Sequence, residues 1–345
     1  MAEVGELRVV SAADQLEAVG ERLSLPRVAL APALVEPATR LLSDGEGAAV
    51  LLRRQWVGDG SAEAVVLHRA GVPLEHPAVV ATALAWGCER VRHATTDRTV
   101  PIRPPPADAL PVDRFRQLAA LAATRVEVAV ALAPDGADKA AHTAAADVLR
   151  ALDLPVLSEE RHDGPGPDGS PWVVLAPLDG TGNFSAGLPP WAFSAALVEA
   201  GRPVAGLVVD LSSGRRWSGA EGAGARRDGV PIAPQPGSTV LVPSAPAGGV
   251  VAVPPTADRV RIAGCTSIEL CLVADGSAAA WHDLDRGGSH VHDVAGGLAV
   301  LLAAGGVALT ADSDPVELFP PSGRTLRLVA APSLAAACEL LAAFT

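Results

Sequence analysis

The stretch from Val173 to Phe184 reads VVLAPLDGTGNF. Its apolar start predicts a buried strand, and Asp179-Gly180-Thr181 predicts a tight polar turn that opens a new element. A turn of this kind sets a carboxylate beside free backbone amides. Asp179 then suits a hard cation, while the amides of Gly180 and Thr181 and the Thr181 hydroxyl suit a phosphate.

Further signals stand at the ends of predicted elements. Glu159 and Glu160 close a strand in LPVLSEE, and Asp293 opens a helix after HVH. The turn Gly264–Ser267, GCTS, opens another helix. Carboxylates converging from strand ends and a helix start can hold Mg²⁺, which takes oxygen ligands. Amides at a helix start can hold an anion. Each signal alone has an ordinary structural reading. Asp before Gly forms turns, Asp at a helix start caps it, and paired glutamates end a solvated strand. Cys265 reads as a small packing residue rather than a nucleophile.

Their order along one chain is more specific. SEE at Ser158–Glu160, APLDGTGNF at Ala176–Phe184, GCTSIELCLVADG at Gly264–Gly276 and HDVAGG at His292–Gly297 together resemble the inositol monophosphatase family. That family shows an acidic pair after a strand, then D-P-x-D-G-T-x-N-F, a G-S/T-A/S turn and a W-D-V-A-G helix start. EGAGARRDGVPI, at 221–232, resembles its middle strand-and-turn segment. The resemblance runs from about Val112 to the C-terminus. It implies an α+β fold, a layered αβαβα sandwich, and Mg²⁺-dependent phosphomonoesterase chemistry on cyclitol, sugar or nucleotide phosphates. It implies Glu159, Asp179 and Asp293 as metal ligands, with the Leu178 carbonyl added. Glu159 and Thr181 would position the attacking water. Gly180, Thr181, Gly264, Cys265 and Thr266 would line the substrate, Asp283 would meet a substrate hydroxyl, and His290 would join the catalytic set.

The chain also departs from the pattern. Ala176 replaces the first Asp of D-P-x-D-G-T, a carboxylate that in the family bridges two metals. In KAAHTAAAD, Thr143 or Ala144 falls where the family carries an upstream Asp, and His292 replaces the Trp. Two Mg²⁺ lie ~4 Å apart in such centres. Unit like charges that close repel by about 4 kcal/mol even at an effective dielectric near 20. Without the bridging carboxylate, Mg²⁺ occupancy is expected to fall to at most one weakly held ion. The expected function is therefore binding of a small phosphorylated sugar or cyclitol, with weak or altered phosphomonoester hydrolysis. The alternatives are a degenerate ligand- or partner-binding relative, or acid/base chemistry by the remaining acids and His290. His290, His292 and the His282–Asp285 stretch also allow a His/Asp transition-metal site, against the ordinary reading of surface histidines in a polar loop.

The whole chain has 345 residues, enough for two domains, and 49% of them are apolar. With 27 basic and 39 acidic residues its formal charge is -12, which argues against nucleic acid or an anionic membrane as partner. Its four cysteines match no zinc spacing, no signal peptide is read in MAEVGELRVV, and a cytoplasmic location is expected. A homodimer is left open. Val294–Ala311 is apolar enough to suggest a membrane span, but Gly305-Gly306 splits it into a buried helix and a strand. A proline-rich linker at 101–111 is expected to join a small α/β domain, residues 1–100, to the larger unit, 112–345. In the first unit RVALAPALV and GAAVLLRRQ predict strands, and PATRLLSDG and PAVVATALAWGCERV predict helices. Short stretches there faintly resemble an aldolase-type βα barrel, but residues 1–110 lack the Lys that a Schiff base requires. Beyond the linker, a helix with Asp113 as N-cap and a second from Ala140 to Leu152 are expected. A meander of strands from Ala192 to Ile232 follows.

Overall fold

The computed structural model describes residues 6–10, 15–25, 30, 36–45, 47–57, 61–96, 98–103, 106, 109–160, 170–243, 257–284, 287–318 and 325–344. Most of RVALAPALV and the Gly/Pro-rich residues 161–169 fall outside them.

The N-terminal part is a six-stranded sheet in the order β1 (Arg8–Val9), β2 (Thr39–Ser43), β3 (Ala49–Trp56), β4 (Ala62–Ala70), β5 (Arg90–His93), β6 (Thr99–Pro101). Only β4–β5 pair in parallel, so this is no piece of a parallel βα barrel. Helix α1 (Leu16–Leu23) covers one face and α2 (Pro77–Ala85) the other. PATRLLSDG is strand β2, not the expected helix. Leu41 packs with Val19 and Leu23 of α1, while Leu42 packs with Val79 and Ala83 of α2. Adjacent leucines can point to opposite layers only in a strand, and a strand covered on both faces loses the alternation that would betray it.

Helix α3 (Pro111–Leu132) follows, capped by Leu110 with Pro111 at its first position, so Asp113 lies in the first turn rather than at the cap. Helix α4 (Ala137–Leu149) starts three residues before the expected Ala140. The second sheet has seven strands: β7 (Val156–Leu157), β8 (Trp172–Asp179), β9 (Ala192–Glu199), β10 (Arg202–Asp210), β11 (Arg216–Ala220), β12 (Gly224–Arg227) and β13 (Val230–Ile232). They lie in chain order, β8 to β13 are antiparallel, and β9 to β13 form the expected meander. A short helix α5 (Thr181–Ala186) follows β8. The third sheet takes β14 (Thr239–Leu241), β15 (Arg259–Arg261), β16 (Ala280–His282), β17 (Val307–Thr310) and β18 (Leu328–Ala331) in the order β15–β14–β16–β18–β17. Helices α6 (Thr266–Ala274) and α7 (Val291–Ala303) lie between the two sheets, and α8 (Leu334–Ala342) covers the last. With α3 and α4 on the outer face of the second sheet, the layers run αβαβα, as expected. The apolar stretch Val294–Ala311 divides into α7 and β17. Among the described residues no single helix is long and apolar enough to cross a membrane.

The first sheet is docked on the second unit by buried charge. Arg54 binds Glu127 of α3 at 2.7 Å, and Glu127 also meets Arg216 of β11 at 3.4 Å. Arg40 pairs with Asp228 at 3.1 Å. Gly87 touches α3 so closely that a Cβ there would lie 2.1 Å from the Ala120 carbonyl oxygen. Truncating one partner of such buried pairs costs more than removing a surface pair, because the other charge stays buried.

Candidate functional site

Strand β8 decides where the site faces. Trp172 and Val174 pack toward α6 and α7, whereas Val173 and Leu175 pack toward α3 and α4. Ala176 pairs with Ser194 and Asp179 with Ala192, so three steps on β8 match two on β9. The extra residue is a bulge at Pro177, which has no N–H to give to the ladder. The bulge exchanges the faces: Leu178 joins the α3/α4 core, and Asp179 turns toward α6. Asp179 thereby comes to the same face as Ala176.

Asp179 is 8% exposed. Its Oδ2 accepts from the Ser267 amide at 2.8 Å, the Ser267 hydroxyl at 2.6 Å and the Cys265 thiol at 3.2 Å. Burial first, and the nearby Asp293 second, push its carboxyl up to about 6 against the pull of these donors. The Cys265 thiol is itself pushed well above its ordinary value by burial, so it is a donor and packing group, not a thiolate. Gly180 adopts φ +81°, a conformation that favours glycine, and Thr181 begins α5 half-buried.

The two turns touch. Asn183 Nδ2 donates to the Pro190 carbonyl at 2.9 Å and to the Ala263 carbonyl at 2.8 Å. Glu269, 0% exposed, accepts from the amides of Ala263 and Gly264 at 2.7 and 3.1 Å and from the Trp281 indole at 2.9 Å. Burial pushes its carboxyl up to about 7. Asn183 and Glu269 had no role in the sequence reading, although a lone Glu inside the apolar helix TSIELCLVA was a visible signal.

Asp293 is the third residue of α7, not its cap. His290 is the cap: its backbone carbonyl accepts from the Asp293 amide at 3.1 Å, and the Asp293 carboxylate accepts from the His290 amide at 3.3 Å. The His290 and His292 rings stack 5.2 Å apart, and His292 Nε2 lies 3.5 Å from Asp293. Asp283 is buried and accepts from Ser289 at 2.6 Å, which places it in the interior rather than on an open wall. Glu159 and Glu160 are exposed at the end of β7. The acid beside them is Asp138, in the first turn of α4, whose carboxyl is raised by partial burial and then by Glu159 and Glu160. Thr143 bonds its own helix at Lys139, and Ala144 packs on the α3/α4 core. Neither position supplies a carboxylate; Asp138, one turn or more earlier on the same helix, is the nearest acid to Glu159 and Glu160 by its electrostatics.

Asp179 feels the charge of Asp293, and Asp138 that of Glu159 and Glu160. Among the described residues no three His, Cys, Asp or Glu side chains are gathered closely enough to hold one metal ion. Glu159, Asp179 and Asp293 thus do not form a ready-made ligand set, and the His282–Asp293 region is not a transition-metal site among those residues. Asp285 lies outside them.

Residues 135–344 match the inositol monophosphatase family. The chain belongs to that family. Members similar to it include a fructose-1,6-bisphosphatase/inositol-1-monophosphatase of Thermococcus kodakarensis, 34% identical over 174 residues, which span 49% of this chain and 66% of that one. A 3'(2'),5'-bisphosphate nucleotidase of Escherichia coli is 32% identical over 202 residues, 53% of this chain and 78% of that one. The inositol monophosphatase structure from Anabaena superposes with a TM-score of 0.58 at 24% identity, covering 68% of this chain and 96% of that one. A Pyrococcus horikoshii structure with similarities to inositol-1 monophosphatase gives 0.59 at 22%, covering 67% and 98%. The family fold is thus present from α4 onward, and the six-stranded sheet precedes the matched region.

The site electrostatics carry a prediction. The folded pKa values of Asp179 and Glu269, about 6 and about 7, stand above those of free carboxyls near 4. The folded chain therefore keeps protons that the unfolded chain releases between about pH 4 and 7. Stability from these groups is highest below that window and falls as pH rises through it, by on the order of a few kcal/mol. Urea midpoints in chelator are expected to be higher at pH 5 than at pH 8. Equal midpoints, or the reverse order, would remove the buried-carboxylate account.

Proposed function

We propose that this inositol monophosphatase relative binds a small phosphorylated sugar or cyclitol between the Gly180–Thr181 and Gly264–Ser267 turns and hydrolyses its phosphomonoester weakly. The observation that carries this is Asp179, buried, facing Asp293 and held by Ser267 where two element-opening turns meet. Two neighbouring carboxylates, of which Asp293 raises the proton affinity of Asp179, fit one divalent cation. They do not fit two, because Ala176 offers no oxygen. Asp179 and Asp293, with the Leu178 carbonyl, would hold Mg²⁺, and the substrate's own oxygens would complete the set. When bound, the ion supplies positive charge to the phosphoryl oxygens. The residues of the chain do the rest. Amides of Gly180, Thr181, Cys265 and Thr266 orient the phosphate, and the Thr181 hydroxyl positions the water for in-line attack on phosphorus. The ester oxygen leaves with a proton from solvent.

A second reading is binding without turnover. It is favoured by the loss at Ala176 and by the three donors already on Asp179. A panel of sugar, cyclitol and nucleotide phosphates at millimolar Mg²⁺, with and without chelator, separates the two. Phosphate release that chelator abolishes supports hydrolysis. Binding of the same esters with no release supports the second reading, and release untouched by chelator excludes the metal-assisted one.

A further inference from the structure

We propose that Asn183 and Glu269 are positioning residues that grip one peptide, Ala263–Gly264, from opposite sides and so fix the span between the two substrate-facing turns. Asn183 takes the carbonyl side of Ala263 at 2.8 Å, and Glu269 takes the amides of Ala263 and Gly264 at 2.7 and 3.1 Å. The second Asn183 bond, to Pro190, anchors the end of the α5 loop. The second Glu269 oxygen is held by the buried Trp281 indole, which belongs to the third sheet. Gly264 sits at φ +74°, where a Cβ would lie 2.9 Å from Asn183 Oδ1, so the fit leaves no room for another residue. A ring results. Asp179 binds Ser267 of α6, α6 carries Glu269, Glu269 holds Ala263–Gly264, and Asn183 returns from that peptide to the turn that follows Asp179.

A wholly buried carboxylate with no cation beside it among the described residues is costly unless its hydrogen bonds are met. Here three N–H donors meet them, and two of these belong to the turn that begins α6. The cost is sensible if the position of that turn matters. Displacement by about 1 Å in such a frame costs of order 10²-fold in rate.

The inference rests on the proposed reading for its kinetic part but not for its structural part. The test uses the full chain, with Asn183→Ala and the near-isosteric Glu269→Gln, in which an amide N–H would face the Trp281 indole N–H. Hydrogen exchange is followed in segments 180–186 and 263–268. Kinetics use the phosphate ester that the parent hydrolyses fastest. In Asn183→Ala, exchange is expected to accelerate at least ~10-fold in both segments and not in β9 or β10, and kcat to fall about 10²-fold with KM changed far less. Glu269→Gln is expected to accelerate exchange mainly in 263–268, with the same fall in kcat. Acceleration confined to 180–186 in Asn183→Ala, or unchanged kcat in a folded variant, overturns the inference. If Glu269→Gln does not fold, Asn183→Ala decides alone. If the parent hydrolyses no ester, the hydrolytic reading fails, and the exchange pattern still decides whether the peptide is gripped from both sides.

Discussion

Ala176→Asp is expected to raise phosphomonoesterase activity by a few hundred-fold, corresponding to about 3–4 kcal/mol of transition-state stabilisation. The bulge at Pro177 puts position 176 on the same face as Asp179, toward α6 and α7. Across the ladder stands Ser194, 1% exposed, whose hydroxyl has no hydrogen-bond partner among the described residues. Directly opposed residues on paired strands lie about 5 Å apart, so a carboxylate at 176 can accept from that hydroxyl. The same carboxylate adds a third negative charge beside Asp179 and Asp293, at up to about 4 kcal/mol for each close pair at an effective dielectric near 20. The variant should therefore melt below the parent in chelator and gain more from Mg²⁺ than the parent does. Thermal melts with and without Mg²⁺, together with kcat/KM on the fastest ester, check both halves. Unchanged activity and no Mg²⁺-dependent gain in melting temperature would mean that the missing carboxylate is not what limits this site.

Asp179→Asn is expected to reduce any Mg²⁺-dependent hydrolysis by at least ~10³-fold, or about 4 kcal/mol, while leaving the fold intact. The amide oxygen can still accept from the Ser267 amide and hydroxyl that hold Asp179 now, so the turn keeps its anchor. The charge that would attract the cation is gone. So is the cost of burying that charge near Asp293. The variant should match or exceed the parent in urea at pH 8 and lose part of the advantage of pH 5 over pH 8. A loss of activity accompanied by an equal loss of stability would show Asp179 to be structural first. Retention of most activity would remove it from the metal site.

Much of this was legible in the sequence, and the failures have physical reasons. In VVLAPLDGTGNF the strand and the turn are legible because both faces of β8 are covered, which leaves a continuous apolar run bounded by an Asp-Gly turn; that the next element is a helix is not. The family order of GCTS and HDVAGG placed α6 and α7. The bulge at Pro177 was not read, so it was not seen that Ala176 and Asp179 share a face. Asp138 was missed because the helix was started at Ala140, which left the acid of its first turn in what looked like a loop. β2 was misread because two covered faces erase alternation. Asp113 is expected as a helix cap, and a cap is the ordinary reading of Asp293, yet Leu110 before Pro111 and His290 fill those places. Which acids gather is a matter of tertiary distance, and no spacing along the chain showed that Asp138 joins Glu159 while Asp179 joins Asp293.

The central claim is that this family member keeps the phosphate-facing turns but has lost a metal place at Ala176. Titration calorimetry of Mg²⁺ into the metal-free parent chain, run beside Ala176→Asp, tests it most directly. The parent is expected to take up at most one ion, weakly, and Ala176→Asp to bind Mg²⁺ more tightly or in greater number. Two tightly bound Mg²⁺ in the parent without substrate would contradict the account.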